Sequence, residues 1–132
     1  MKYIIIIFVF ITCISSTCKS VVGGVYSIKV VNNSAYDINF FDSRVYPDTS
    51  LPIDKPYYSF SRPNDYGYID NHDEWETVFK DLPRDTLSIF ILYADTVKTQ
   101  NWSIIQSQKK YLKRYDLSLQ DLQNSNWTIT YP

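Results

Sequence analysis

Only 3 of the 132 residues are glycine. That excludes a glycine-rich loop folding successive backbone N–H groups around a phosphate. Histidine occurs once, as His72, between Asn71 and Asp73. No Gly-x-Ser-x-Gly elbow or similar nucleophile context accompanies it, so His72 reads as a solvated loop residue rather than the base of a triad. Glutamate is confined to Glu74 and Glu76, a thin supply for a paired-carboxylate hydrolase. Cysteine occurs twice, at Cys13 and Cys18. Both precede the part of the chain that reads as a folded domain, which is left without a thiol nucleophile, a disulfide or a Cys-based zinc site. Charge of one sign is missing as well. With Lys2 set aside, 12 of the 13 basic side chains face 14 acidic ones, which gives no electrostatic case for nucleic acid or an anionic membrane surface. No apolar run reaches the about 20 residues of a bilayer-spanning helix. No enzyme, cofactor or metal is expected.

What is present begins at the N-terminus. Lys2 is followed by the apolar run Ile4 to Ile11, and the next charge is Lys19. A positive start, a short apolar stretch and a small polar exit form a secretory signal. Ser15-Ser16-Thr17-Cys18 occupies the place where bacterial lipoprotein signals carry the lipobox, whose Cys becomes the acylated first residue. Ser15 and Thr17 stand where an aliphatic and a smaller residue are more usual. More than one acyl chain on Cys18 would anchor the protein stably. The expected division is a signal peptide over 1–17, a lipidated Cys18 with a tether to residue 24, and one globular domain over 25–132.

Within that domain the clearest stretch is Asp85 to Tyr93. Leu87, Ile89, Ile91 and Tyr93 alternate with Phe90 and Leu92, as in a central strand covered on both faces. Tyr26 to Asn32 and Tyr36 to Phe40 alternate too. Asn32-Asn33-Ser34 supplies turn chemistry between them, which predicts an antiparallel hairpin. From Asp42 to Asp73, Pro47, Pro52, Pro56 and Pro63 break up regular structure. This region reads as ordered loop pinned by its aromatics, with one edge strand over Tyr57 to Phe60. Trp75, Val78, Phe79 and Leu82 form a helical stripe, with Asp73 as N-cap and Pro83 as stop. Trp102 and Ile105 fit a short helix, and Tyr111 to Leu117 a strand. Ser118 and Asp121 have the spacing of a capping box for one helical turn. Asn126 to Tyr131 reads as the last strand, with Trp127, Ile129 and Tyr131 inward. The expected fold is mostly β: a small antiparallel β-sandwich with two or three short helices. The alternative is α+β, an antiparallel sheet with helices on one face.

Asp85 to Ile91, Trp102 with Ile105, the run Leu112-Lys113-Arg114-Tyr115-Asp116-Leu117-Ser118-Leu119-Gln120-Asp121-Leu122, and Trp127 to Pro132 resemble a group of short, uncharacterised lipoproteins of Bacteroidetes-type bacteria. Tyr46 to Thr49 belongs to the same pattern. The resemblance implies a lipid-anchored envelope protein and supplies no activity. Lys19 to Gly24 lacks the acidic residues that often follow the acylated Cys in surface-exported members, so the resemblance implies the outer membrane with the domain facing the periplasm.

Tyrosine is the unusual count, at 12. Tyr46, Tyr57, Tyr58, Tyr66 and Tyr68 crowd the proline-rich region. Large, stiff side chains with a polar tip suit a binding surface, so these five are the candidate contacts for a glycan, a peptide or an envelope protein partner. Asp65, Asp70, Asn71, Asp73 and Glu74 lack the spacing of a calcium loop and read as a solvating, helix-capping group. Lys109, Lys110, Lys113 and Arg114 would split between two strand faces.

Overall fold

The computed structural model describes residues 21–22 and 24–132, with side chains from Gly24 onward. The expected signal peptide and Cys18 lie outside the described residues. The strands are β1 (Val21–Val22), β2 (Val25–Asn32), β3 (Ile38–Ser43), β4 (Ser59–Ser61), β5 (Asp65–Asn71), β6 (Thr86–Tyr93), β7 (Lys113–Ser118) and β8 (Thr128–Tyr131). Four six-residue helices accompany them: α1 (Trp75–Lys80), α2 (Ala94–Thr99), α3 (Trp102–Ser107) and α4 (Leu119–Asn124).

The strands form two sheets. In the first, β2 pairs with β5 along its length, and β1 and β8 share its other edge. The second has the order β4-β3-β6-β7 and is antiparallel throughout. The expected β-sandwich is therefore present, with one departure in direction: β8 runs parallel to β2. β1 falls inside the stretch expected as tether, so among the described residues strand pairing begins at Val21.

β6 has the two-faced burial its alternation predicts. Leu87, Ile89 and Ile91 point between the sheets, against Ile28, Val30, Ile38, Phe40, Ile69 and Ile129. Phe90 and Leu92 point outward, against Phe41, Leu51, Val97 and Ile105, with Tyr58, Trp102 and Tyr111 around them. At roughly 1.5–3 kcal/mol for each fully buried aliphatic or aromatic side chain, this strand contributes to two cores at once. Tyr93, at its end, is exposed. Trp75, Val78 and Phe79 of α1, with Leu82, join the inner core, as does Leu122 of α4. α2 and α3 supply Val97 and Ile105 to the outer one.

Three local expectations need correcting. β2 and β3 are not a hairpin, because they lie in different sheets. The reason is Asn32, buried at the end of β2. Its Nδ2 donates to the carbonyls of Tyr36 (2.7 Å), Arg62 (3.0 Å) and Ser61 (3.3 Å). Its Oδ1 accepts from the Ser34 N–H (3.0 Å) and hydroxyl (2.6 Å). The amide thus pins the β2–β3 crossing to the β4–β5 crossing, and both connections pass from one sheet to the other. Second, residues 65–71 are not loop but β5. Asp and Gly have low strand propensity, which hid the alternation of exposed Tyr66, Tyr68 and Asp70 with inward Gly67 and Ile69. Gly67 is required there: a Cβ would lie 2.5 Å from the Phe60 carbonyl and 2.8 Å from the Phe40 ring. Third, Glu74 rather than Asp73 takes the N-cap position of α1, without a side-chain cap.

The capping box forms as its spacing predicts. Asp121 N–H donates to Ser118 Oγ at 3.1 Å, and Ser118 N–H donates to Asp121 Oδ2 at 2.8 Å. Hydrogen bonds from the Ser118 hydroxyl, and next from its backbone N–H, hold the Asp121 carboxyl below its usual value of 3.8. A depressed folded-state pKa contributes stability above the unfolded value, lost as pH falls through the folded one. Asp121→Asn should therefore lower the thermal midpoint at pH 7, and its difference from the parent should shrink as pH drops below about 3.8. Ser118→Ala should cost about 1 kcal/mol in urea titration near neutral pH.

Asn32→Ala should cost about 2–3 kcal/mol by the same titration, because a buried carbonyl loses its donor. Asn32→Asp, which aims an acceptor at three carbonyls, should cost more than the alanine.

Candidate functional site

The five candidate tyrosines do not converge. Tyr46 is half-buried in the connection between β3 and β4, ahead of the cis peptide to Pro47. Tyr57 is fully exposed, while its neighbour Tyr58 turns into the outer core. The Tyr58 ring lies 6.2 Å from Phe41 and 6.1 Å from Trp102, with Lys55 Nζ 5.5 Å from its centroid. Trp102 Nε1 donates to the Pro52 carbonyl at 2.9 Å, and Leu51 is buried below. The loop is thus held against the second sheet by its own apolar side chains, and Tyr58 belongs to that packing. Burial raises its phenol pKa.

Tyr66 and Tyr68 sit elsewhere, on the outer face of the first sheet. Successive side chains of a strand point to opposite faces, so Ile69 turns inward and these two turn out. Their rings meet edge-to-face at 5.6 Å, and they are 49% and 41% exposed. Lys29, on β2, pairs in register with Tyr68 and places Nζ 4.1 Å from the Tyr66 centroid, within cation–π range. Ser27 Oγ donates to Asp70 Oδ1 at 2.5 Å. By the same alternation, Val31, Thr128 and Thr130 share this face. The result is an exposed sheet face with two aromatic rings, a cation and hydroxyls. It can stack on an apolar or sugar face and hydrogen-bond around it. Lys29 was missed in the sequence; the i, i+2 spacing of Tyr66 and Tyr68 was the signal available for the pair.

One cleft of about 200 Å³ is lined by Arg44, Asp73, Thr77, Val78, Asp81 and Leu82. This falls below the roughly 300–1,000 Å³ of ligand pockets. Its cation is already engaged: Arg44 Nε donates to Asp42 Oδ2 at 3.0 Å and Nη2 to Asn71 Oδ1 at 3.3 Å, with the guanidinium 5.8 Å from the Trp75 ring. His72 is exposed. Among the described residues, no group of three or more His, Cys, Asp or Glu could hold a metal ion.

Further displaced pKa values have structural causes. Burial raises Tyr115, with Tyr131 adding to it, and burial raises Tyr131, with Tyr93 adding. Two hydrogen bonds from Ser50 lower Asp48. The Tyr115 hydroxyl donates to the Thr130 carbonyl at 3.0 Å, tying β7 to β8.

No family model, curated protein or solved structure matches the chain.

The Tyr58 hydroxyl is buried and has no hydrogen-bond partner among the described residues. Tyr58→Phe should leave stability unchanged or raise it by up to about 1 kcal/mol, since the unpaired group is removed and the ring kept. Tyr58→Ala should cost about 3 kcal/mol. A clear loss in the phenylalanine variant by chemical denaturation would mean that the hydroxyl has a partner.

Proposed function

We propose that this is a lipid-anchored protein of a bacterial envelope, exported by residues 1–17 and acylated at Cys18. Its domain serves as a non-catalytic binding or structural module on the outer membrane, facing the periplasm. The observation that carries the reading is the Ile4 to Ile11 run ending in Ser15-Ser16-Thr17-Cys18, ahead of a domain that holds no other cysteine. Among the described residues strand pairing starts at Val21, three residues after Cys18, so only a short tether separates the expected signal from the domain. The Lys29, Tyr66 and Tyr68 face supports a binding role for a glycan or an extended peptide over a purely structural one, because two exposed rings stand together on it.

Mass spectrometry of the protein from its native membrane, beside a Cys18→Ala variant, tests the anchor. The expected result is an N-terminal, acylated Cys18, with both the lipid and membrane association lost in the variant. A soluble product cleaved at another position and carrying no lipid would sink the proposal.

A further inference from the structure

The two lateral edges of the sandwich differ in kind. β5 covers one edge of β2 from Tyr26 to Asn32, so β1 and β8 must share the opposite edge. The sheets meet at both sides. Ser59 Oγ of β4 donates to the Tyr68 carbonyl of β5 on one, and Tyr115 of β7 donates to Thr130 of β8 on the other. One lateral edge is therefore β4/β5 and the other is β1/β8/β7.

The chain enters the domain at the second of these. β1 is antiparallel to β2, with Val21 opposite Tyr26, so its N-terminal end points along β2 toward Lys29. There the Lys29 N–H is held by the Trp127 carbonyl at 2.8 Å. The point of entry thus lies beside the Asn126–Trp127 turn. Cys18 precedes Val21 by three residues, which span at most about 10 Å. A domain of about 100 residues has a radius of gyration of about 13 Å. A tether shorter than that radius cannot carry the domain round to present its far edge to the bilayer. The turn at the entry point carries no charge of its own: Gln123, Asn124, Ser125 and Asn126 are exposed and neutral, with Asp121 and Lys29 the nearest charged residues along the chain and across the β2–β8 pair. The far edge carries Arg62 and Asp65, with exposed Phe60, Tyr66 and Tyr68 near it.

From this we infer that the β1/β8 edge, with the 123–126 turn, is the bilayer-facing side of the domain. Phe60, Tyr66 and Tyr68 then lie on the side away from the lipid, where a periplasmic partner meets them. The inference rests on the acylation of Cys18 proposed above and adds the orientation.

The test uses the isotope-labelled chain from Cys18 onward, which holds every described residue. It is coupled through the Cys18 thiol to a maleimide phospholipid in a nanodisc that also contains a headgroup-spin-labelled lipid. Amide signals at 124–128 should be broadened severalfold more than those at 62–68. Inserting a roughly 20-residue Gly/Ser linker ahead of Val21 should abolish the contrast, because such a chain is a flexible coil. Equal broadening at the two edges, stronger broadening at 62–68, or a contrast that survives the linker would overturn the orientation. Because the coupling is chemical, this result is independent of whether the cell acylates Cys18. Failure of the anchor shows in the native mass spectrum, and failure of the orientation shows in the nanodisc.

Discussion

The side chain of Asn32 is the contact on which the two-sheet arrangement depends. An amide buried at the end of a strand has two hydrogens and one oxygen to satisfy. Here all of them go to connecting segments: Nδ2 to the carbonyls of Tyr36, Ser61 and Arg62, and Oδ1 to Ser34. Three carbonyls share two hydrogens, so one bond is divided, and the 3.3 Å contact to Ser61 is its weaker branch. With the amide reversed, its oxygen would face three acceptors, so the network fixes the orientation of the side chain. Because these carbonyls belong to both chain crossings between the sheets, a single polar residue sets where β2 ends and where β3 and β5 begin. The connection from β2 to β3, which locally reads as a hairpin, and the one from β4 to β5 become two arches across a sandwich.

Around that joint the molecule is layered. The inner core fills the space between the sheets, closed by α1 and α4. The outer core lies between the second sheet and a cover made of α2, α3 and the loop carrying Leu51 and Tyr58. β6 is the wall common to both. The asymmetry bears on function. The second sheet spends its outer face on packing, whereas the first leaves Lys29, Tyr66 and Tyr68 at the surface. A binding reading therefore falls on the first sheet, and the proline-rich loop, for all its tyrosines, serves mainly as a lid on a core.

Sequence patterns were informative where one signal decided the outcome. The alternation of Leu87 to Leu92 placed a strand with two buried faces. The Trp75, Val78, Phe79 and Leu82 stripe placed α1 against the inner core. The Ser118 and Asp121 spacing placed a helix start. Where two signals competed, the weaker one was hidden. In β5 the turn-forming character of Asp65, Gly67 and Asp70 masked an alternation that seven in-register pairs with β2 support. The tyrosines of the candidate site were visible as a composition, but their division between two surfaces was not. Tyr57 and Tyr58 are adjacent in sequence, yet one is fully exposed and the other packs on Phe41 and Trp102.

By itself the sequence determined the periods and the ends of elements, the absence of cysteine from the domain, and the apolar start leading to Cys18. These are local properties: a period of two, a cap, a proline stop or a short apolar run needs no distant residue to be read. Tertiary structure decided which strands pair, that β8 runs parallel to β2, and that Lys29 lies over Tyr66. Those outcomes depend on residues about 30 to 100 positions apart finding one another, and no local pattern encodes them. Pairing partners are selected by the burial of whole faces and by buried polar groups such as Asn32, whose partners exist only once the chain has crossed between its sheets.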